Sequence, residues 1–252
     1  GSGPVSFGGD VALDNISISE NEGCTDVAAC NYDPIAILDD GSCNLGATTP
    51  FTDNLDAYSN QFFGATADQF GTWINSGDSL TNNGSGWSVW SGSTSSQYTG
   101  PSGDSSPSGS GKYIYFETSS PVTQGTKVTL TSSCFDISSL SYPSLSFNYH
   151  MYGFSMGTLE VLVNGNSEWV LSGDQGAQWN LSQVDLSSYL GSSVTVEFIA
   201  TAGSGVDPYM PGSGPVSFGG DVALDNISID EDQNAGCNDP SACNYTSGSD
   251  GS

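Results

Sequence analysis

The chain has 252 residues, with 28 acidic side chains against 2 Lys, no Arg and a formal charge of −26. That balance excludes phosphate recognition by clustered cations, and with it nucleic acid as a partner and docking on an anionic membrane surface. No apolar run reaches the length of a membrane-spanning helix, so membrane insertion is not expected, while 36% apolar and 11% aromatic residues are enough for a packed core.

In chain order, the first segment is GSGPVSFGGDVALDNISI at 1–18, and it recurs without change at 212–229. Further on, GCTDVAACNY at 23–32 returns as GCNDPSACNY at 236–245. Eighteen identical residues are not a coincidence. They predict a tandem repeat with a period of about 212 residues, of which this chain is a window. The expected organisation is a closing strand of a preceding unit at 1–18, a Cys- and Asp-rich linker at 19–43, a β domain at 44–229, and the start of the next linker at 230–252. On this reading 1–18 stays out of the 44–229 core. It completes a preceding unit, by chain continuity or by strand donation to a neighbour.

The linker carries Cys24, Cys30 and Cys43, and Cys134 lies in the domain; Cys237 and Cys243 belong to the second copy. With this polarity the cysteines read as disulfides from an oxidising compartment. Four Cys per period allow three pairings. The favoured one joins two of the three linker cysteines locally and ties the remaining one to Cys134, because a segment so short and polar needs a cross-link to hold a shape. Asp26, Asn31, Asp33, Asp39 and Asp40 crowd the same stretch. They are candidate ligands for calcium, which takes six to eight oxygens; ordinary Asx turns are the competing reading.

The middle of the chain is predicted to be β. KYIYFETS (112–119), TKVTLTSSCFDIS (126–138), PSLSFNYHMYG (143–153), GTLEVLVNG (157–165), SEWVLSG (167–173) and SSVTVEFIATAG (192–203) alternate or run apolar between Gly, Ser, Asn and Pro punctuation. Leu159, Val161 and Val163 should face one way. Val222 and Leu224 mark a closing strand. WNLSQVDLSSYLG (179–191) has room for a helical turn, and 77–111 reads as long loops around WSVWSG (87–92).

FTDNLD (51–56), WSVWSG, GPSGDSSPSGSGKYIYFETS (100–119), LSFNYHMYGFSMGTLEVLV (145–163) and GDVALDNISI (220–229) follow in an order that resembles the MAM domain, an extracellular adhesion module. The resemblance implies an all-β jelly-roll sandwich over 44–229. It also places Asp53, Asp104 and Asp225 at acidic positions associated with a structural cation. Separately, the C-x5-C-x12-C segment with its DDGSC ending resembles short units that join adhesion modules in large secreted proteins of Bacteroidetes.

His150 reads as a packed residue within a strand. Trp73, Trp87, Trp90, Trp169 and Trp179 are candidates for a sugar platform, although sandwiches bury Trp routinely. Asn83 and Asn180 fit a glycosylation sequon, and Asp78 begins a short O-glycan pattern. No nucleophile elbow, Walker loop or dinucleotide fingerprint occurs, and nothing in the sequence pairs Glu117, Glu160, Glu168 or Glu197 as glycosidase carboxylates. The function expected is a non-catalytic repeat unit of a secreted or cell-surface adhesin or filament, with structural calcium and neighbouring copies of itself as partners. The alternative is a calcium-dependent module that binds surface glycans.

Overall fold

The computed structural model describes residues 21–232, apart from 28, 45, 61–68, 77–85 and 213. The expectations for 1–18, Cys237, Cys243, Asn83 and Asp78 therefore fall outside the described residues.

Two antiparallel sheets face each other. The first runs, edge to edge, Asn180–Asp185, Pro143–Met151, Val222–Glu231, Tyr113–Phe116 and Trp87–Trp90, with Phe51–Asp53 added beside the far half of the closing strand. The second runs Asn166–Ser172, Thr158–Val163, Val196–Thr201, Lys127–Ser132, Trp73–Ser76 and Gln69–Phe70. Apart from the hairpins at 69–76 and 158–172, neighbours in the sheets are distant in sequence, and the jelly-roll β-sandwich expected from the resemblance is the fold observed.

Local sequence explains the pairing. In Thr158–Val163 the residues Leu159, Val161 and Val163 are fully buried, and the alternate positions are half-buried. The strand then reverses at Asn164–Gly165, both with positive φ (49° and 78°), the type I′ turn that an Asn-Gly pair favours. Phe147 and Phe198 meet edge to face at 5.1 Å across the sandwich, and Trp73 lies 6.0 Å from Phe198. These rings centre a core that also takes Trp87, Phe116, Phe135, Leu145 and Ile229.

The helical turn allowed for within 179–191 is present, but two strands were not foreseen. Asn180–Asp185 is a strand, and only Ser187–Tyr189 forms a helical turn, a single 3-10 turn. Leu181 points outward at 65% exposure on this edge strand, so the segment lacks the apolar alternation that would have revealed it. Trp73–Ser76 is also a strand, with Trp73 and Asn75 buried. Its isolated pair of inward positions is too short to show a period.

A small third sheet closes one end of the sandwich. It contains Ala47–Thr48, Phe135–Asp136 and Ser193–Val194. Here the linker is fastened by Cys30–Cys134, while Cys24–Cys43 ties the linker to itself. Gly46, at φ +76°, sits where a Cβ would lie 2.5 Å from the Cys134 carbonyl oxygen and 3.0 Å from Cys30 Sγ. Only glycine lets the chain pass this crossing.

Candidate functional site: an acidic shelf beneath the 91–112 loop

The YIYF strand is buried at all four positions, although a sandwich strand ordinarily buries only one face. Ile114 and Phe116 enter the main core, whereas Tyr113 and Tyr115 form a second cluster with Ala223, Trp90 and Trp179. What covers that outer face is the loop 91–112. Its backbone is held by aromatic heads: Tyr113 Oη donates to Gly92 O (2.7 Å), Trp90 Nε1 to Ser93 O (3.0 Å) and Trp179 Nε1 to Gly103 O (3.0 Å). These three polar tips thus find partners, as burial of a polar tip demands, whereas Trp87 Nε1 in the main core meets none.

The closing strand then delivers a carboxylate to the same place. Asn226 has φ 47°, and the register against Pro143–Met151 slips by one residue there. Before this bulge Val222 and Leu224 face the main core; after it Ile227 and Ile229 do. Asp225 lies on the outer side with Ala223, by the same alternation that turns Val222 and Leu224 inward, and under the loop it is 1% exposed; the bulge returns Ile227 and Ile229 to the core. Its Oδ2 accepts from Ser105 N (2.8 Å) and its Oδ1 from Asn226 N (2.7 Å). Burial, helped by the nearby Asp104 charge and opposed by these hydrogen bonds, lifts its pKa to about 6.

Asp104 is itself 8% exposed, and its buried Oδ1 has no hydrogen-bond partner. Asp56 approaches from the other side, with Oδ1 accepting from Lys112 N (2.8 Å) while Lys112 Nζ donates to the Asp56 carbonyl (2.7 Å). Gly111 lies between them: a Cβ there would stand 2.4 Å from Asp104 Oδ2 and 2.6 Å from Asp56 Oδ1. An open cavity of about 590 Å³ is lined by Asp56, Asp104, Ser106, Ser108, Ser110 and Lys112. A second groove of about 390 Å³ runs beside it along Gly103, Asp104, Ser108, Gln178, Trp179 and His150.

The structure thus brings Asp104 and Asp225 together and adds Asp56, which the sequence reading did not single out; DNLD at 53–56 was the signal available. Asp53 is turned elsewhere. Its Oδ2 accepts from Tyr58 Oη (2.7 Å) and Trp73 Nε1 (3.0 Å), and its Oδ1 from Leu55 N (2.9 Å). In the linker, Asp33, Asp39 and Asp40 each cap the amide two residues on, giving Asx turns at Ile35, Gly41 and Ser42. Asn31 bridges to Ser42 O and Asn44 N, and the Asp26 carbonyl closes a turn with Ala29 N. Among the described residues no group of three or more His, Cys, Asp or Glu side chains gathers at metal-ligating geometry. Oxygens for a cation would have to come also from hydroxyls and backbone.

Of the five Trp, Trp73 and Trp87 are fully buried, Trp169 packs on Phe147 at 5.3 Å, and Trp90 and Trp179 are half-buried against the tyrosines. None lies open as a flat platform. His150 is 3% exposed, packed against Trp179 at 5.4 Å, and burial lowers its pKa to about 4. No helix among the described residues is long and apolar enough to cross a membrane.

A sandwich with a long loop sealed over one outer face by aromatic anchors is the class of structure defined here. The family profile described as MAM domain, meprin/A5/mu, matches residues 66–238, more than half of the chain, and the chain belongs to that family. It is 35% identical over 147 residues to the mouse MAM domain-containing glycosylphosphatidylinositol anchor protein 2, covering 53% of this chain and 14% of that protein. It is 31% identical over 162 residues to thyroid hormone-induced protein B of Xenopus laevis, covering 62% and 21% respectively. The chain therefore spans only a small part of the curated relatives it matches. Among solved structures, the K1 cleaved adhesin domain of Lys-gingipain from Porphyromonas gingivalis W83 aligns with a TM-score of 0.46 at 13% identity, over 73% of this chain and 99% of that one.

Proposed function

We propose that this chain is a non-catalytic adhesion module of a secreted or cell-surface protein, used as one repeat of a longer array. The observation that carries the reading is the unchanged recurrence of 1–18 at 212–229, together with the returning Cys pattern at 236–245, in a chain of the MAM family. Copying a unit this faithfully suits a stalk or filament, in which each unit need contact only its neighbours. The linker that resembles the Bacteroidetes units would set their spacing, since Cys30–Cys134 fastens it to the sandwich that follows. The names of the mammalian relatives, which specify a glycosylphosphatidylinositol anchor, support an extracellular setting.

Calcium belongs to the same proposal, at the shelf formed by Asp104, Asp225 and Asp56. The buried, unpartnered Asp104 Oδ1 supports it, because a buried carboxylate oxygen without a donor is costly unless neutralised. The linker Asp side chains carry no comparable observation, and the proposal does not extend to them.

The test is a recombinant protein of three consecutive periods viewed by negative-stain electron microscopy. Beads at regular spacing along a rod support the array. Units with no fixed spacing, or a single collapsed globule, overturn it. A second reading, glycan binding, is favoured by the polar groove beside Trp179. A glycan array probed with and without calcium tests it, and signals no higher than those of a Trp179→Ala variant remove it.

A further inference from the structure

The turn into the closing strand holds a second carboxyl that the adhesive reading leaves unused. Asp221 is completely buried. Its Oδ1 accepts from Thr118 N (3.0 Å) and Thr118 Oγ1 (3.1 Å), and its Oδ2, also buried, meets no donor. Glu117, 3% exposed, follows the YIYF strand, and its carboxyl group stands within hydrogen-bonding reach of Asp221. Glu117 accepts from Ser95 Oγ (3.0 Å), Ser96 Oγ (3.1 Å) and Ser119 N (3.0 Å).

Two adjoining carboxylates in a dry interior repel each other, and each has lost its water. Something positive has to neutralise them. The chain's two ammonium groups are placed elsewhere: Lys112 donates to the Asp56 carbonyl, and Lys127 opens an exposed end of the opposite sheet. Burial, reinforced by Glu117, pushes the Asp221 pKa well above the carboxylate range, so a shared proton is one solution. A cation is the other, and the surrounding atoms suit one. Thr118 Oγ1 lies within hydrogen-bond distance of both Ser217 O (2.8 Å) and Asp221 Oδ1 with a single proton to give, which brings that carbonyl oxygen close; Ser95 and Ser96 add hydroxyls. All are hard oxygen donors, the set that calcium takes in irregular geometry. A surface pocket of about 330 Å³ lined by Thr118, Ser217 and Phe218 gives a way in from solvent.

We propose that Glu117 and Asp221, with the Thr118 hydroxyl and the Ser217 carbonyl, form a site for a calcium-class divalent cation, separate from the Asp104–Asp225 shelf. The ion would bind the Ser95–Ser96 stretch of the covering loop to the turn that starts the closing strand. It would thus hold shut the end of the loop opposite to Asp104.

The experiment counts bound Ca²⁺ by native mass spectrometry and calorimetric titration at pH 7.5, on the full chain and on Glu117→Gln, Asp221→Asn and Asp104→Asn variants. Circular dichroism confirms that each is folded. An ion that persists in Asp104→Asn and weakens at least tenfold in both Glu117→Gln and Asp221→Asn supports the proposal. It does so even if Asp104→Asn changes nothing, an outcome that would sink the shelf reading alone. The proposal is overturned if the full chain binds no ion, or if Glu117→Gln and Asp221→Asn keep the same stoichiometry and affinity. A rise in melting temperature for those two variants in chelator, with unchanged calcium binding, would assign the pair to a shared proton instead. Should either variant fail to fold, the conservative Asp221→Glu, which keeps the charge, must retain the ion.

Discussion

The linker, described over 21–43 apart from residue 28, and the sandwich that follows it are stabilised by different physics. The linker buries Cys24 and Ala29 and leaves Val27, Ile35 and Ile37 more than 60% exposed. Its shape comes from two disulfides and a series of Asx turns. The sandwich buries Phe147, Phe198, Trp73, Trp87 and Phe116 almost completely, and most of its strands pair over long sequence separations. One region is specified by covalent bonds and local capping, the other by burial of apolar area. A perturbation aimed at one should leave the other standing.

The largest effect should come from Phe147→Ala. The ring is fully buried and meets Trp169 and Phe198 edge to face. Emptying such a site costs about 3–5 kcal/mol. Chemical denaturation should show the loss in the global transition, while the Cys24–Cys43 bond remains oxidised. A cost below about 1 kcal/mol would mean that the core collapses around the cavity.

Next comes the disulfide that ties the two regions together. Replacing Cys30 and Cys134 together by Ser removes a cross-link that closes 104 residues of chain. The chain-entropy account gives about 4 to 5 kcal/mol for a loop of that size, and typical measurements give about 2–4. We expect the linker amides to lose protection from hydrogen exchange and the sandwich to melt at lower temperature with its cooperativity intact. A linker that stays protected without this bond would show that it packs on the sandwich by more than the disulfide.

The third prediction concerns pH and lies wholly within the sandwich. Burial holds His150 neutral, with a folded pKa of about 4 against about 6.5 unfolded. As pH falls from 6.5 to 4 the unfolded chain takes up the proton first, so this residue lowers stability over that window, by at most about 3 kcal/mol. Asp225 acts in the opposite sense. Its folded pKa of about 6 lies above the ordinary value, so acidification below pH 6 favours the folded form. Asp221, its pKa also raised by burial, acts in the same sense, so in chelator His150→Phe should make stability rise more steeply on acidification between pH 6.5 and 4. Parallel curves for the two proteins would show that the ring is not held neutral.

How far the sequence could foresee all this depends on where information is local. Leu159, Val161 and Val163 announce a strand by alternation, and Asn164–Gly165 announces its turn. The resemblance carried the layered fold. What local reading missed depends on pairing across the chain. Asn180–Asp185 is an edge strand without apolar period, and the pairing of Glu117 with Asp221 joins positions 104 residues apart in sequence. Asp225 follows from the alternation that turns Val222 and Leu224 inward, but the one-residue bulge at Asn226 that then returns Ile227 and Ile229 to the core is a backbone feature with no side-chain period to reveal it. Asp56 lay within a quoted motif, yet only the approach of Gly111 gives it a neighbour in Asp104.

The smallest expected effect sharpens the comparison most. Ile35 and Ile37 are 71% and 76% exposed in a chain otherwise rich in polar surface. Changing both to Ser in the single chain should move its stability by no more than about 0.5 kcal/mol, because exposed positions away from caps and networks contribute little. The same double change in a protein of three periods has a different expectation if units stack along an array. There the apolar face of each linker would be covered by the preceding sandwich, and about 1.5–3 kcal/mol is the cost of exposing a buried aliphatic side chain. Thermal melts of the single and the triple protein, each with and without the double change, form a closed cycle. An effect confined to the triple protein would mean that the linker's missing core is supplied by its neighbour. Equal, small effects in both would leave the linker as a tether held by its disulfides alone.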